Sequence, residues 1–278
     1  MVDKSFKSCL KNNQTYIIAE IGLNHNGSLE EAIALVDSAA DSGVDAVKFQ
    51  TYISEKRAPA GDENMLNVLK KHELKFSDFS EIKKHAEAKG VEFFSTAFDK
   101  ESIDYLESIG VNLYKVASFD IANLKLLNEL ADTKKPIIFS TGMATLSEIT
   151  RAYEIFSKST EHIGILHCVS SYPTNSNDAY LSNVTELLKK FSCYIGQSDH
   201  TNSIEVPQYA VAAGANIIEK HFKINEKHEC IDAPVSITHD QMAQLVKNIR
   251  KIERIFGTAT FGVKPNEKDI VRFRRLSS

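Results

Sequence analysis

The sequence has 278 residues and a mass of 31.0 kDa, and its 42% hydrophobic and 25% charged residues exclude a disordered or fibrous chain. Its net charge of -4 argues against a general basic surface for nucleic acid. No apolar run is long enough to cross a bilayer, so no membrane segment is expected.

The four cysteines are scattered along the chain without a CxxC pair, which argues against a disulfide framework or a structural zinc site. The first residues contain no apolar core of signal-peptide length. Because free thiols suit a reducing compartment, we expect a cytoplasmic protein.

Short β-rich apolar segments alternate with helical patterns along almost the whole chain. Helix signals include a capping box at Ser28 and Glu31, a helix stop at Gly43, and a long helical pattern from Thr238 to Gly257. This alternation is typical of a parallel α/β fold, and eight strands favour a closed (β/α)8 TIM barrel over an open doubly wound sheet. The predicted strands are 16–22, 46–52, 92–98, 113–118, 136–142, 163–169, 193–199 and 216–222.

One barrel domain accounts for residues 1–278, with its core at about 16–257 and a basic tail at 258–278. Two connections are longer than a minimal barrel needs: the mostly polar segment 53–76 after the second strand, and 223–237 after the eighth. Because both follow strands, both should lie at the catalytic mouth. Connections of this length are more often lids or binding loops than spacers.

Polar side chains stand at the carboxyl end of every predicted strand. These ends converge on one mouth in a barrel, and barrel enzymes carry out their chemistry there. Any single polar residue could simply cap its strand, whereas the full set favours a shared site. The residues are Glu20, Lys48, Gln50, Ser95, Thr96, Lys115, Ser118, Ser140, Thr141, Ser170, Ser171, Tyr172, Ser198, Asp199, His200, Glu219, Lys220 and His221.

His200 and His221 are separated by about one strand–helix–strand repeat, so they should end neighbouring strands. Neighbouring strands lie roughly 5 Å apart. Two imidazoles at that range can share one divalent metal and leave positions open for substrate oxygen and water. The alternative is two ordinary hydrogen-bonded histidines.

Lys48 and Lys115 interrupt apolar strands, and a lysine in a barrel mouth needs a neighbouring anion. That anion could be a substrate phosphate or carboxylate, or the carboxylate of Glu20 or Glu219. Glu20 could act as a general acid or base, or orient a substrate hydroxyl. The sequence has no P-loop and no GxGxxG, so nucleotide binding is not supported. Hydroxyls that could complete a pocket for a small phosphorylated acid belong to Ser118, Ser140 and Ser198.

A series of short motifs, each weak alone, occurs in an order that is highly specific. The chain resembles the catalytic barrel of the sialic acid synthases, which make nonulosonic acids from phosphoenolpyruvate and an N-acylated hexosamine. The resemblance covers roughly residues 16–276. Its motifs are AEIGLNHNG (19–27), VKFQTY (47–52), FSTAFD (94–99), YKVAS (114–118), STGM (140–143), LHCVSSYP (166–173), SDHT (198–201) and EKHF (219–222).

The resemblance implies roles for these residues. His200 and His221 match ligands of a divalent metal, usually credited to manganese, with Mg²⁺ or Co²⁺ as alternatives. Glu20 matches a proposed catalytic carboxylate, and Lys48 and Lys115 complete the predicted catalytic set. Positions that hold phosphoenolpyruvate correspond to Lys48, Thr96, Lys115, Ser118, Ser140, Ser170 and Ser198. Positions that contact the sugar correspond to Tyr172, Glu219 and Asp232, and Gln50 is placed with the substrate-binding residues.

The implied reaction joins carbon 3 of phosphoenolpyruvate to the open-chain aldehyde of the sugar, which the metal polarises. Water adds at carbon 2, and phosphate leaves by C–O cleavage. The two lysines would offset the charge on the phosphate and carboxylate.

Three departures from the family pattern concern the acceptor. Ala97 stands where the family usually has proline, and the segment after strand eight lacks the GPDH string common in N-acetylneuraminate synthases. The strings at 115–121 and 230–236 look closer to pseudaminic acid synthases. The acceptor therefore stays open between N-acetylmannosamine and a 2,4-diacetamido hexose.

Full-length family members continue into a small antifreeze-like domain, which lends an arginine to the partner's sugar site in a homodimer. This sequence stops at Arg274-Arg275-Leu276-Ser277-Ser278. It is either a piece of a longer protein or a short form. We expect a homodimer, and in a short form a separate antifreeze-like domain or the chain's own loops would close the site.

Other classes of protein remain as alternatives. A related 3-deoxy sugar-acid synthase or a metal-dependent aldolase would use a similar site, while a Schiff-base aldolase would need a neutral lysine and no metal. A non-catalytic sugar-binding barrel is disfavoured, because a decayed site should have lost part of its chemistry. The residues that are all retained are Glu20, Lys48, Lys115, His200 and His221.

Overall fold

Eight parallel strands pair in chain order and close into a barrel in the computed structural model, which describes residues 3–275. The predicted (β/α)8 fold is confirmed, and each strand falls within its predicted segment. The strands are β1 Tyr16–Gly22, β2 Ala46–Thr51, β3 Glu92–Ala97, β4 Tyr114–Val116, β5 Ile137–Ser140, β6 Ile163–Cys168, β7 Tyr194–Asp199 and β8 Ile217–His221.

Helices lie between the strands and cover the outside of the barrel. Two of them match the strongest sequence signals: one begins after the Ser28 cap, and the last begins after Thr238 and ends before Gly257. The helices are α1 Phe6–Lys11, α2 Leu29–Asp41, α3 Ser54–Arg57, α4 Glu63–His72, α5 Phe76–Ala88, α6 Lys100–Ser108, α7 Leu124–Ala131, α8 Leu146–Ser157, α9 Ser182–Lys190, α10 Glu205–Ala212 and α11 His239–Phe256. Short 3₁₀ helices are Ser118–Asp120, Ser176–Asp178, Ala233–Val235 and Pro265–Phe273.

The alternation of side chains along each strand separates two layers of core. Outward-facing residues such as Ile17 and Val47 pack against the helices, whereas Ile18, Phe94 and Ile217 fill the interior. Because side chains alternate between the two faces of a strand, the residue two positions after each of these interior residues also points inward. That residue lies nearer the carboxyl end of its strand. The barrel therefore fills its amino-terminal half with apolar side chains and leaves its carboxyl half to polar ones.

Helix α1 was not predicted, and it closes the amino-terminal end of the barrel. The Phe6 ring packs edge-on against Tyr16, with centroids 5.3 Å apart, and also contacts Tyr194. The Glu92 carboxylate accepts hydrogen bonds from the Phe6 backbone N–H and the Tyr16 hydroxyl, each at 2.7 Å. With only six residues, α1 is too short for a periodic pattern to reveal it.

The expectation of a loop-like connection over 53–76 was wrong, because α3 and α4 occupy most of it. Asp62 caps α4 by accepting from the Met65 N–H at 2.9 Å. The Tyr52 hydroxyl donates to the Leu69 carbonyl at 3.1 Å, and both residues are buried. Few apolar residues suffice to dock these short helices, so their sequence is mostly polar. The segment still reaches the mouth, where it contributes Arg57.

Residues 258–275 follow the last helix, and the 3₁₀ helix within them buries no residue. Leu276, Ser277 and Ser278 lie outside the described residues. None of the helices in residues 3–275 combines the length and apolar character needed to cross a membrane.

Candidate active site

A cavity of about 270 Å³ opens at the carboxyl end of the barrel. Every strand, or the segment after it, contributes residues to the lining of this cavity. Ser170, which was predicted to bind substrate, is not part of the lining, but its hydroxyl is hydrogen-bonded to that of Ser118. The predicted residues that line the cavity are Glu20, Lys48, Gln50, Thr96, Lys115, Ser118, Ser140, Tyr172, Ser198, His200, Glu219, His221 and Asp232.

Some polar strand-end residues listed from the sequence do not line this cavity. Asp199 and Lys220 pair with each other at 2.6 Å, and both are buried. Ser95 bonds to Thr51 at 2.7 Å. These residues alternate with the cavity-lining positions along their strands, so the expectation that they share the mouth was wrong. Thr141 and Ser171 likewise are not part of the lining.

The inner part of the cavity holds two lysines and two glutamates within ion-pair reach. Lys48 Nζ lies 2.9 Å from Glu20 Oε2 and 3.6 Å from Glu219 Oε2. Lys115 Nζ lies 3.9 Å from Glu219 Oε1. All four side chains are buried. The sequence left open whether the lysines meet a substrate anion or these carboxylates, and in the structure described here they meet the carboxylates.

Burial and the neighbouring charges separate the pKa values of the two glutamates. Burial raises the pKa of Glu20 to about 7, because it outweighs the attraction of Lys48. Burial would also raise the pKa of Glu219, but Lys115 and Lys48 outweigh it and hold that pKa at about 2. Glu219 is therefore an anion at neutral pH, whereas Glu20 can gain or lose a proton.

The two lysines also differ. Burial lowers the pKa of Lys48, but Glu20 and Glu219 outweigh this effect and leave the pKa above its usual value. Burial dominates at Lys115, where the pKa falls below its usual value despite Glu219. The Lys115 ammonium donates to Ser140 Oγ at 2.6 Å and to the Val116 carbonyl at 2.9 Å, which fixes its position.

Hydroxyl groups surround the lysines. Lys48 Nζ donates to Thr96 Oγ1 at 3.3 Å, and Ser198 Oγ donates to Glu219 Oε1 at 2.8 Å. Ser118 and Ser170 are joined through their hydroxyls at 3.1 Å. Gly142 allows this approach, because a Cβ there would lie 2.4 Å from Ser118 Cβ, and its φ of +48° also favours glycine.

Gln50 Oε1 is a buried acceptor atom without a hydrogen-bond partner within residues 3–275, whereas Glu20 Oε2 and Glu219 Oε2 each face the Lys48 ammonium. Gln50 is oriented by its Nε2, which donates to Glu20 Oε1 at 2.9 Å. Unpartnered buried acceptors are costly in an interior. Gln50 Oε1 is therefore available to accept a hydrogen bond from a hydroxyl group or water in the cavity.

The two predicted metal ligands lie side by side. The ring centroids of His200 and His221 are 5.6 Å apart. Tyr172 stacks on His200 at a centroid distance of 4.2 Å. Burial lowers the pKa of His200 to about 4 and also lowers that of His221, so both imidazoles are neutral at pH 7, as metal ligation requires.

The ring nitrogens fit a metal site. His200 Nδ1 donates to the Val169 carbonyl at 2.7 Å, which leaves Nε2 with a free lone pair. His221 Nδ1 is buried without a hydrogen-bond partner, 3.5 Å from Asp232 Oδ2. Residues 3–275 contain no group of three or more His, Cys, Asp or Glu side chains arranged as metal ligands. His200 and His221 are therefore the two side chains that could hold a divalent metal at this position.

Asp232 is brought to the cavity by the loop after β8, which is fastened to the loop after β1. The buried Asn24 side chain donates to the Phe222 carbonyl and to Ser236 Oγ, both at 2.9 Å, and accepts from the Asp232 N–H at 3.0 Å. His228 reinforces the contact by pairing with Glu31 at 3.1 Å. The sequence marked the loop after β8 as longer than a minimal barrel needs, but it did not relate that loop to the one after β1.

Sequence reasoning missed several lining residues: Leu23, Arg57, Phe98, Ala117, Phe119 and Cys168. Cys168 could have been found from the sequence, because it lies two positions after Leu166 on the same strand and therefore points to the same side, the barrel interior. Arg57 and Phe98 lie beyond their strands, where no periodicity applies. Phe98 entered the sequence analysis only as part of the motif FSTAFD (94–99), which begins within β3.

A closed parallel barrel with ionisable residues converging at its carboxyl mouth defines the class of (β/α)8-barrel enzymes. Known proteins identify the family within that class: the model of the NeuB family matches residues 35–261. The chain belongs to the NeuB family, which confirms the predicted resemblance.

Curated relatives and a solved structure cover nearly the whole chain. The N,N'-diacetyllegionaminic acid synthase of Campylobacter jejuni is 36% identical over 280 residues, or 95% of this chain and 84% of the relative. The pseudaminic acid synthase of the same species is 33% identical, over 88% of this chain and 75% of the relative. The crystal structure of N-acetylneuraminic acid synthetase from Leptospira borgpetersenii, in complex with citrate, matches with a TM-score of 0.91 and 40% identity, over 94% of this chain and 92% of that one.

These relatives are named synthases, so the prediction of an enzyme is confirmed. The alternative of a non-catalytic sugar-binding barrel finds no support among them.

Proposed function

We propose that this protein condenses phosphoenolpyruvate with an N-acylated hexosamine to give a nonulosonic acid and phosphate. The observation that carries the proposal is the inner cluster of Lys48 and Lys115 with Glu219 and the surrounding hydroxyls, inside a NeuB-family barrel. The named activities of the legionaminic and pseudaminic acid synthase relatives support the reaction class.

The inner part of the cavity suits a small anion with a phosphate and a carboxylate. Lys48 is held as a cation, and Lys115 is fixed beside Ser140, so both ammonium groups are positioned before substrate binds. Preorganised cations stabilise charge that develops as the phosphate leaves. The hydroxyls of Thr96, Ser118 and Ser198 supply further hydrogen bonds.

Glu20 is the proposed acid–base residue. Its pKa of about 7 lets the carboxyl group hold a proton or release it near neutral pH, which is the range in which proton transfer is most effective. Gln50 fixes one carboxyl oxygen, and the other faces Lys48. Glu20 would handle the proton of the water that adds at carbon 2, while Lys48 and Lys115 offset the charge of the departing phosphate.

His200 and His221 would hold the divalent metal, with manganese proposed and magnesium or cobalt as alternatives. Such a metal, when bound, supplies Lewis-acid polarisation of the sugar aldehyde. The Val169 carbonyl orients His200, and Tyr172 packs against its ring. Asp232, beside His221, is placed to accept hydrogen bonds from sugar hydroxyls.

The acceptor is proposed to be a 2,4-diacetamido hexose or N-acetylmannosamine. The test is sugar-dependent release of phosphate from phosphoenolpyruvate by the manganese-loaded protein. The panel is N-acetylmannosamine, the two 2,4-diacetamido precursors of pseudaminic and legionaminic acids, and arabinose 5-phosphate. We expect release with an acylated sugar and its loss on chelation. Release with arabinose 5-phosphate alone would favour a 3-deoxy sugar-acid synthase, and no sugar-dependent release would overturn the proposal.

The lowered pKa of Lys115 is the one observation that favours a Schiff-base aldolase. Incubation with pyruvate and borohydride separates the two reactions, because only an aldolase of that kind traps a covalent adduct on a lysine. We expect no adduct, because hydrogen bonds to Ser140 and Val116 already engage the Lys115 ammonium.

We also propose that the protein is cytoplasmic and that it forms a homodimer. Light scattering coupled to gel filtration tests the homodimer. A parallel arm of the activity assay would add a separately produced antifreeze-like domain. Stimulation of acceptor turnover by that domain would support the expected separate partner.

A further inference from the structure

Arg57 is an unusual member of the cavity lining because its guanidinium is held without polar partners. Arg57 is half-buried at the end of α3, and its side chain makes neither a hydrogen bond nor an ion pair with another residue of 3–275. Its Nη1 is shielded from solvent and has no hydrogen-bond partner. A shielded, charged donor without an acceptor is costly, so the position needs an oxygen acceptor from outside residues 3–275.

Two aromatic rings fix the place of this guanidinium. Its Cζ lies 4.6 Å from the Tyr52 ring centroid and 4.0 Å from that of Phe98. Cation–π contacts of this kind hold the planar group while leaving its N–H donors free in the plane. Arg57 is therefore positioned before any ligand binds.

The surroundings of Arg57 favour an uncharged ligand over an anion. Burial lowers the pKa of Arg57, while the negative charges of Asp120 and Asp232 act in the opposite direction. An added phosphate or carboxylate would meet these two carboxylates. The inner part of the cavity differs, because there Lys48 and Lys115 outnumber the one permanently ionised glutamate, Glu219. The anion therefore belongs at the inner part, and a neutral acceptor beside Arg57.

Apolar surface lies next to the free donors. Leu23, Phe98 and Phe119 line the cavity together with Arg57, and we call the part that these four residues line its outer part. An N-acyl group combines a strong carbonyl acceptor with an apolar methyl group, which matches a guanidinium beside apolar side chains. A hydroxyl group offers the acceptor without the apolar part.

We propose that Arg57 is a specificity-determining residue that donates to the acyl carbonyl oxygen of the acceptor sugar. This inference rests on the proposed function, because it assumes that the outer part of the cavity holds the acceptor. It assigns a role to a residue of the segment after β2, which the sequence marked as a long connection at the mouth of the barrel.

The test compares two uncharged sugars that differ in the acyl group, N-acetylmannosamine and mannose. Binding is measured by calorimetry on the metal-free protein with phosphoenolpyruvate present, where no turnover is expected, for the wild type, Arg57→Gln and Arg57→Lys. The glutamine amide can still stack on the rings but lacks the charge. A charged hydrogen bond contributes about 1.5–3 kcal/mol, so the preference for the acylated sugar should fall about tenfold to 100-fold in Arg57→Gln. Lysine should restore part of it.

The matched control is Lys56→Gln, on the same helix, whose exposed ammonium pairs with Glu101 outside the cavity. We expect this variant to keep the wild-type preference. Binding of phosphoenolpyruvate alone should change less than about threefold in every variant. Thermal unfolding of each variant checks that α3 remains docked.

The outcomes separate this inference from the proposed function. An unchanged preference in Arg57→Gln, with both substrates still bound, would overturn the role of Arg57 alone. A wild type that binds phosphoenolpyruvate and does not prefer the acylated sugar would also overturn it. A wild type that binds neither substrate would overturn the proposed function and the inference together.

Discussion

The ammonium group of Lys48 lies 2.9 Å from the carboxylate of Glu20, and the two residues are paired in register across β1 and β2. Strand register alone therefore places a buried cation beside a buried acid. Glu219 completes the arrangement from β8, because closure of the barrel makes β8 the other neighbour of β1. Both ion pairs of Glu219, with Lys48 and with Lys115, depend on this closure.

Removal of the Lys48 charge should impair the reaction far more than the fold. In Lys48→Met, we expect kcat/KM for phosphoenolpyruvate to fall about 100-fold or more, because a preorganised cation near the leaving phosphate is lost. Phosphate release measures the effect, and circular dichroism checks the fold. Lys70→Met, at an exposed pair with Glu55, is the matched control and should stay near wild type. A kcat/KM within threefold of wild type in Lys48→Met would exclude the proposed role.

Loss of His221 should weaken binding of the metal itself. We expect His221→Asn to lower manganese affinity at least about tenfold, since substitutions even around metal ligands commonly cost 10–100-fold. Equilibrium dialysis of the protein without substrates gives the affinity directly, so the result does not depend on turnover. His85→Asn removes a histidine that pairs with Asp37 away from the cavity and should bind manganese normally. Equal affinities in the two variants would argue that His221 is not a ligand.

Asn24 should act as a positioning residue for Asp232. Asn24→Ala removes three hydrogen bonds that tie the loop after β8 to the loop after β1. We expect a loss of about 1–3 kcal/mol in the free energy of unfolding, from unpaired buried groups. We also expect a higher KM for the acceptor with a nearly unchanged KM for phosphoenolpyruvate. A purely structural role would lower stability without that split.

The control for Asn24 is Asn128→Ala, which removes an exposed hydrogen bond to the Leu124 carbonyl. Its stability and both KM values should match the wild type. Equal rises of both KM values in Asn24→Ala would show that the substitution disturbs the whole mouth.

Stability should depend on pH through His25, which is buried and stacks on Phe49. Burial, with a smaller contribution from His72, lowers the pKa of His25 from 6.5 to about 4. Because the folded-state pKa lies below the unfolded value, the stabilisation is fully present above pH 6.5 and is lost as pH falls toward 4.

His25→Asn should flatten this dependence, because the asparagine oxygen can still accept from the Gly27 N–H but cannot titrate. Between pH 7 and pH 5 we expect the wild type to lose about 2 kcal/mol more than the variant. Urea unfolding of the metal-free protein at both pH values measures the difference. Identical losses would mean that His25 does not titrate in this range.

Strands were the most predictable part of the fold. β1 spans Tyr16–Gly22, as predicted, because its apolar residues are strongly β-forming and bounded by turn signals. β4 is shorter than predicted, at Tyr114–Val116. α3 and α4 escaped prediction because short helices that dock through a few side chains carry little periodicity.

The candidate site was predictable to the extent that it lies on strands. Glu20, Lys48 and Lys115 follow interior apolar residues at spacings of two, and this parity also explains why Asp199 and Lys220 point away. The loop residues followed no such rule. Asp232 was assigned only through resemblance to the family, and Arg57 was not found.

The sequence by itself determined the barrel, the order of its strands and the set of ionisable residues at its mouth, because alternation and strand spacing are local properties. Only the tertiary structure decided the partners: which carboxylate each lysine meets, how Asn24 holds the loop that carries Asp232, and how Tyr52 and Phe98 position Arg57. Apart from the contact of Tyr52 with Arg57, these relationships join residues far apart in the chain. They arise from closure of the barrel and packing of its loops, and no local pattern encodes them.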